Sequence, residues 1–416
     1  MLTSDKFLKL LVLLFPSAAL IGHTPMIVVL VMLLFLGIFD CVTKTKVEIG
    51  KSMLLPVIVC FLSVFILSIP NVVLDSGRMA ALDSPSRYLL GAIVLFLISR
   101  RKVNIEDIFK GMILGSIIGF VLYPIYCGYY LDAPRYGTEL FGKQVNILSV
   151  AYFAMINMSV LAVASIYYQR TNNYMMITLT LFACVLSLVT GFMSGSKVVL
   201  LSLPVMFIMM MVFLSRLTLN KRIVAFTLIF VLSGVSAFNF TNSLMYERIV
   251  NDYSQLGSDT DTSTNIRVEM FKSGLYTFID SPIFGKGFDN RVEYQKELQN
   301  QGRIDLPSSA FKDGKDSLHN EIINTAAKKG LVGLTFIFAL YIVPIYVAYR
   351  QVRKEPSNNV VYYSVLVFML TLFMIGLTEA PLMGRSTAVY YVTTVIFFML
   401  ALRREVGTSN DKNEIR

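Results

Sequence analysis

Residues 331–349, LVGLTFIFALYIVPIYVAY, form a long run without a charged side chain. A helix needs about 20 such apolar residues to cross the hydrocarbon core of a bilayer. The run therefore predicts a membrane-spanning helix. Similar runs recur along the chain, and we predict about twelve spans, near residues 6–22, 25–41, 53–70, 87–99, 108–130, 146–168, 174–191, 197–214, 222–240, 331–349, 360–378 and 386–402.

The composition agrees with this interpretation. Of the 416 residues, 55% are hydrophobic and 15% are charged, whereas a soluble domain has about 25% charged residues. We predict an all-α polytopic integral membrane protein. The four cysteines lie in or beside apolar runs without ligand spacing, and the two histidines are far apart. We therefore expect no metal site and no cofactor.

The net charge of +10 would suggest nucleic acid as a partner in a soluble protein. Here the basic residues lie mostly in short loops, and loops rich in lysine and arginine alternate with loops that are poor in them. The positive-inside rule then places both termini in the cytoplasm. We expect the lipid bilayer as a partner and no nucleic acid, and we interpret the apolar run after Lys6 and Lys9 as an uncleaved first span.

This topology divides the chain into four parts. Residues 1–240 contain spans 1–9, and residues 331–404 contain spans 10–12. Residues 241–330 form one long loop outside the cytoplasm, and residues 405–416 form a polar cytoplasmic tail.

The long loop is predicted to contain helices that lie along the membrane surface and cover a cavity between the spans. Residues 264–279 have a helical apolar stripe, with Thr264 or Asn265 as the cap and Ser281-Pro282 as the stop. Residues 291–301 form a second, more polar segment. A third helix is predicted from Asp316-Ser317 to Lys328-Lys329-Gly330.

His319 is the histidine with the most polar surroundings, and the predicted helix places it in a first turn. The helix dipole favours a neutral ring there, which suits a general base or a donor to an anion. A surface residue that donates a capping hydrogen bond is the alternative.

Arg267 is expected in the first turn of the 264–279 helix, where a guanidinium and free backbone N–H groups could bind a phosphate. The alternative is an exposed arginine paired with Asp259, Asp261 or Glu269.

Residues 191–197, GFMSGSK, form a small-residue turn before a span, and Ser196 and Lys197 could bind a phosphate there. The spacing is not that of a nucleotide-binding P-loop. A turn with an interfacial lysine is the alternative.

Glu379 and Arg385 flank the turn between the last two spans, and Arg87 follows Asp83 at the start of the fourth. Charges at this depth are costly unless they are paired or functional. A structural Glu379–Arg385 ion pair is the simplest alternative for the first two. Arg87 could bind a lipid headgroup or anchor its helix.

Two further features are assigned no function. Asp259-Thr260-Asp261 matches a metal-binding pattern only weakly, and His23 is interpreted as an interfacial residue. The external face as a whole offers several cations, helix N-termini and one histidine, which suits a membrane-bound anionic substrate such as a lipid phosphate or pyrophosphate.

The combination resembles the O-antigen ligase family of bacterial enzymes. The resemblance covers the topology of the whole chain and is sharpest over residues 190–335. It is carried by the stretches SGSKVVLL at 194–201, IRVEMF at 266–271, DSPIFGKG at 280–287, LHNEII at 318–323 and KGLVG at 329–333.

The resemblance implies a GT-C-like glycosyltransferase of the inner membrane with its active site facing the periplasm. Such an enzyme transfers a glycan from undecaprenyl pyrophosphate to a sugar hydroxyl of lipid A–core, without a metal and with inversion at the anomeric carbon. It implies Arg267 and His319 as catalytic residues and Glu379 in support of a cation. The substrate-binding residues, for the pyrophosphate or lipid headgroup, would be Ser196, Lys197, Asn320, Arg87 and Arg385.

Lys197 departs from the family, which usually has arginine there; lysine keeps the charge but loses the bidentate fork. Either Lys197 binds one phosphate oxygen as a point charge, or Arg385 or Arg87 takes over this role. The alternatives are an O-antigen polymerase or a protein O-oligosaccharyltransferase that uses the same donor, and a lipid flippase from a different class. A flippase would more often place charges midway through its spans.

Overall fold

The computed structural model describes residues 4–43, 53–74, 79–130, 147–194, 263–287, 289–307, 317–356 and 359–402, with Ser196, Val198, Val199 and positions 203–205, 208 and 250. The regular structure in these residues is helical, and the described residues contain no β-strand. The bounds are α1 Ser4–Ile21, α2 His23–Thr43, α3 Leu55–Ile66, α4 Ile69–Leu74, α5 Asp83–Leu97, α6 Ile105–Phe120, α7 Ile147–Arg170, α8 Tyr174–Met193, α9 Ser263–Asp280, α10 Asp289–Asn300, α11 Glu321–Lys354, α12 Asn359–Gly376 and α13 Arg385–Ala401.

The chain is a multi-pass membrane protein. Within the described residues, six helices are long and apolar enough to cross a bilayer, and α3 and α13 are shorter apolar helices. Every predicted span in the described residues overlaps at least one helix. The spans predicted near 197–214 and 222–240 lie almost wholly outside these residues, so the number twelve and the GT-C-like architecture stay predictions.

Two predicted spans are less regular than expected. The segment 53–70 is broken after α3, and α4 begins again with Pro70 in its first turn, where the missing N–H costs nothing. Helix α6 begins at the cap Asn104, whose side chain accepts from the backbone N–H of Glu106 at 3.0 Å. It continues as a π-helix over Val121–Tyr130 that contains Pro124, because proline cannot join the regular α-helical ladder.

Helix α6 packs closely on α1 through glycines spaced four residues apart. A Cβ atom at Gly111 would lie 2.7 Å from the carbonyl oxygen of Val12, and one at Gly115 would lie 2.8 Å from Cβ of Pro16. Small residues at this spacing let two backbones approach in a membrane, where packing replaces the hydrophobic effect as the driving force.

Helix α13 lies at the centre of the bundle and is buried from Thr387 to Leu400. Its tyrosines satisfy their hydroxyl groups inside the protein, as the Tyr390 hydroxyl lies 2.9 Å from Oδ1 of Asn157. The helix therefore fixes the position of Arg385, its first residue, at one end of the bundle.

Helices α9 and α10 confirm the predicted helices 264–279 and 291–301 to within two residues. The predicted caps are wrong, because α9 already begins at Ser263. The apolar stripe of α9 also divides: Ile266 and Met270 pack on a small core with Leu298, whereas Leu275 and Ile279 are exposed.

The segment after α9 is joined to α11 by backbone hydrogen bonds. The N–H groups of Lys286 and Gly287 donate to Ala327 and Lys328, and those of Leu331 and Val332 donate to Pro282 and Ile283, at 2.8–3.2 Å. We call this arrangement the backbone clasp, residues 282–287 with 327–332. It requires Gly285 and Gly330, which have φ of +67° and +61° and leave no room for a Cβ atom.

The third predicted helix begins later than expected. Helix α11 starts at Glu321, and the side chain of Asn320 caps it by accepting from the N–H of Ile323 at 3.0 Å. The predicted stop at Gly330 is a kink with non-helical backbone, after which the chain continues to Lys354 as the span that contains residues 331–349.

Candidate functional site

His319 precedes the cap of α11 and does not lie in its first turn, so that prediction is wrong. Its backbone has φ of +50°, a left-handed conformation that is uncommon for a residue with a side chain. The backbone N–H of His319 donates to Oγ of Ser317 at 3.2 Å. A strained backbone of this kind persists only where the surrounding contacts hold it, and here it turns the imidazole toward α12.

Glu379, just after α12, holds both predicted catalytic side chains. One carboxylate oxygen lies 2.9 Å from Nη2 of Arg267, and the other lies 2.9 Å from Nδ1 of His319. The Glu379 side chain is only 6% exposed, whereas those of Arg267 and His319 are 28% and 33% exposed. A buried carboxylate therefore presents two partly exposed groups on one surface. We call this arrangement the Glu379 bridge.

The bridge has a consequence for the imidazole. A carboxylate only accepts hydrogen bonds, so the ring proton of a neutral His319 lies on Nδ1. The other ring nitrogen, Nε2, then keeps its lone pair and can accept a proton.

The partners of Arg267 differ from those considered in the sequence. Glu269 contacts Lys272 at 2.6 Å instead of Arg267, and Asp259 and Asp261 lie outside the described residues. Because α9 begins at Ser263, Arg267 also lies just beyond the first turn.

The segment that carries Glu379 is fixed by its neighbours. Nδ2 of Asn320 donates to the carbonyl of Leu377 at 2.9 Å. The buried carboxylate of Glu321 accepts from the N–H of Leu382 at 2.8 Å, and the Tyr88 hydroxyl donates to the carbonyl of Leu382 at 2.9 Å. Both ends of the Asn320 amide are thus engaged within the protein, and its binding of substrate stays a prediction.

Arg385 does not pair with Glu379, so the proposed Glu379–Arg385 ion pair is wrong. Asp83 holds Arg385 instead, through Nε, and also holds Nη2 of Arg87 at 2.7 Å. We call Asp83, Arg87 and Arg385 the Asp83 cluster. The Arg385 side chain is 65% exposed, which leaves it accessible at the end of the bundle.

Lys197 lies outside the described residues. Its neighbour Ser196 is buried; its backbone N–H lies 3.3 Å from Oγ of Ser194, and its own Oγ has no hydrogen-bond partner in the described part of the chain. A phosphate-binding role for Ser196 and Lys197 stays a prediction.

Sequence reasoning gave no role to Asp83, Glu321 or Lys329. The pairing of Asp83 with Arg87 could have been predicted, because residues four apart on a helix lie on the same face and Arg87 follows Asp83 at that spacing. Glu321 and Lys329 act through tertiary contacts: Lys329 donates to Oγ of Ser68 at 2.9 Å across helices. No local pattern indicates such a partner.

Within the described ranges, no three His, Cys, Asp or Glu side chains lie together in a way that could hold a metal ion. A metal-independent reaction stays a prediction.

Two of the three residues of the Glu379 bridge lie in a segment that matches the model of a known protein family. Residues 182–338, which include Arg267 and His319, match the model of a protein family described as O-Antigen ligase. Residues 182–338 are thus similar to the O-antigen ligase family. This finding confirms the resemblance carried by the motifs.

Similarity to individual proteins extends beyond this domain. The chain is 22% identical over 371 residues to an O-antigen ligase of Escherichia coli (strain K12), and the aligned region covers 85% of this chain and 82% of that protein. It is also 22% identical over 354 residues to an uncharacterized protein of Haemophilus influenzae (strain Rd), covering 82% and 84%.

Proposed function

We propose that this protein transfers a polysaccharide from undecaprenyl pyrophosphate to a sugar hydroxyl of lipid A–core and so completes lipopolysaccharide. The single observation that supports this reaction best is the Glu379 bridge, because it joins a cation for the donor and a base for the acceptor on one surface. The family match supports the choice of substrates.

The donor is bound through its pyrophosphate in this proposal. Breaking the glycosidic bond places negative charge on the bridging phosphate oxygen, and the guanidinium of Arg267 stabilises that charge. Glu379 keeps Arg267 in place before the substrate arrives. Lys197 contributes a second cation, and Ser196 contributes a hydroxyl.

The acceptor hydroxyl is activated by His319. Nδ1 is held by Glu379, so Nε2 takes the proton of the hydroxyl as its oxygen attacks the anomeric carbon. Attack from the face opposite the leaving pyrophosphate inverts the configuration of that carbon. Glu379 stabilises the imidazolium that forms and acts as a positioning residue.

The membrane arrangement in this proposal follows the charge pattern. Both termini lie in the cytoplasm, and the Glu379 bridge faces the periplasm, where α9 and α10 rest at the membrane surface. The exposed Leu275 and Ile279 of α9 support contact with lipid there.

Reconstitution tests the reaction. The purified protein is incubated with undecaprenyl-pyrophosphate-linked glycan and lipid A–core in the presence of a chelator, and the lipid A–core is followed on a gel. We expect an upward shift with the wild type, none with His319→Ala, and a normal shift with Lys272→Gln. Lys272 is an exposed residue of α9 and provides the matched control.

The other outcomes decide between the alternatives. Longer glycan that remains on undecaprenyl pyrophosphate, with no shift of lipid A–core, would identify a polymerase. Full transfer by His319→Ala at wild-type expression would overturn the assignment of the base. A shift that disappears with chelator would overturn metal independence.

A further inference from the structure

Two groups of polar side chains lie at the same end of the bundle, and each is organised by one carboxylate. The Glu379 bridge holds Arg267 and His319. The Asp83 cluster holds Arg87 and Arg385. The turn between α12 and α13 connects the two groups, since Glu379 lies in this turn and Arg385 directly follows it. The proposed reaction uses the first group and leaves the second without a role.

The Asp83 cluster carries an excess of positive charge and has unused donors. One carboxylate faces two guanidinium groups. Nη2 of Arg87 donates to Asp83 and its Nη1 to Oγ of Ser86 at 3.3 Å, while its buried Nε has no partner in the part of the chain that the structure describes. Buried polar atoms normally have a partner, so the guanidinium of Arg87 retains a donor that its neighbours do not satisfy.

Neighbouring residues add to this character. His23, at the start of α2, lies within electrostatic range of all three cluster members. Its Nδ1 atom and Oγ of Ser84 are also buried without a partner among the described residues. Helices α2, α5 and α13 all begin here, and their N-terminal dipoles favour an anion.

An apolar cleft adjoins the cluster. It lies between α3, α5 and α11 and is lined by side chains that include Val64, Leu67, Tyr88, Phe336 and Leu340. Ser84 and Met383 also line it and connect it to the cluster.

A further cation lies in the cleft itself. Lys329 lines it and donates to Ser68. An apolar cleft beside several cations is complementary to a lipid that carries a phosphate on its headgroup.

We propose that the Asp83 cluster binds a phosphate group of the lipid acceptor while the apolar side chains of the adjoining cleft contact the hydrocarbon part of that lipid. This inference rests on the proposed function, in which the pyrophosphate of the donor already occupies Arg267. A reaction between two phosphorylated lipids needs two anion sites, and the exposed Arg385 can reach a headgroup outside the bundle.

Kinetics with two acceptors test the inference. The full-length protein in nanodiscs is given saturating donor and either native lipid A–core or the same lipid after removal of its phosphates. We expect Arg87→Gln and Arg385→Gln to raise KM for the native acceptor about tenfold each, the value of one charge-assisted hydrogen bond. KM for the donor stays unchanged.

The dephosphorylated acceptor provides the internal comparison. The wild type should show a raised KM with it, and the two variants should show no further increase. An increase of donor KM instead, or equal losses with both acceptors, would overturn the proposal. Lys272→Gln is the control for loss of a distant surface charge.

A binding measurement separates this inference from the proposed function. Native mass spectrometry of the protein with each lipid does not require transfer. If the wild type transfers nothing but retains the native acceptor better than the dephosphorylated one, and Arg385→Gln abolishes that difference, the phosphate site stands and the reaction is wrong. Retention that does not depend on the phosphates, or equal retention of bilayer phospholipid, would contradict the site.

Asp83→Asn tests the site by an expected gain of binding, which misfolding cannot produce. It keeps both arginines and removes the carboxylate that competes with the phosphate for them. Tighter retention of the phosphorylated lipid is expected. Weaker retention by folded Asp83→Asn protein would show that the cluster is a structural ion pair and would overturn the proposal.

Discussion

His319 Nδ1 and Glu379 Oε2 lie 2.9 Å apart, although the two residues are 60 positions apart in the chain. The contact joins the segment before α11 to the segment after α12, and Arg267 from α9 reaches the same carboxylate. Three parts of the chain thus meet at one buried side chain, and the predictions below begin from that convergence.

Replacing Glu379 by glutamine keeps the size of the side chain but removes its charge. The amide cannot neutralise Arg267 or stabilise a protonated His319, so we expect turnover to fall by about 10²–10⁴. Turnover is measured at saturating concentrations of both lipids. Glu269→Gln, which removes a carboxylate that pairs with Lys272, should retain activity. Unchanged turnover in Glu379→Gln would show that the bridge is dispensable.

Replacing Arg267 by alanine removes the cation proposed for the leaving pyrophosphate. The loss of one such donor costs about 10²–10³ in rate. Arg267→Lys should recover part of the activity, because it keeps a charge but not the planar fork. The same gel assay with equal amounts of folded protein measures this effect. Wild-type transfer by Arg267→Ala would contradict the assignment.

Gly285 and Gly302 provide a matched pair for the backbone clasp. Both have positive φ, +67° and +68°, but a Cβ atom at Gly285 would lie 2.4 Å from the carbonyl carbon of Lys328, whereas one at Gly302 meets nothing within 4 Å. Alanine therefore costs about 1–2 kcal/mol of left-handed strain at either position, and at Gly285 it also forces the clasp apart.

Thermal unfolding in detergent measures the difference between these two variants. We expect Gly285→Ala to melt at least about 3 °C below Gly302→Ala. It should also lose transfer activity, because the clasp holds the helix that follows His319. Equal melting temperatures would mean that the clasp adds no stability.

Lys197 is tested by its family counterpart. If it binds a phosphate oxygen, Lys197→Arg should retain transfer and Lys197→Ala should lose it, by about 10²-fold as for other charge-stabilising donors. Initial rates with limiting donor measure the effect. A complete loss in Lys197→Arg would instead indicate that the position requires the shape of lysine for packing.

The helices could be predicted because apolar runs and turn residues are local signals. The span at 331–349 and the surface helices at 264–279 and 291–301 depend on neighbouring residues alone, and the structure contains them. The start of α11 was misplaced because Asp316-Ser317 and Asn320 are all plausible caps, and only tertiary contacts select Asn320, whose amide also reaches Leu377.

The candidate site was predicted as a set of residues but not as pairs. The sequence indicates that four polar or charged residues occupy unusual positions, because each lies beside an apolar run or in a polar motif: Arg267, His319, Glu379 and Arg385. It does not indicate that Glu379 contacts both Arg267 and His319. Nor does it indicate that Asp83 pairs with Arg385. Opposite charges attract without regard to sequence, so the choice of partner depends on helix packing.

The backbone clasp between residues 282–287 and 327–332 is built from main-chain atoms. Apart from its two glycines, its hydrogen bonds do not depend on which side chains occupy those positions. Ile283 and Phe284, for example, point outward and are exposed. The exposed side chains of this region can therefore change during evolution while His319 keeps its position, so the clasp is a fixed support beneath a variable surface.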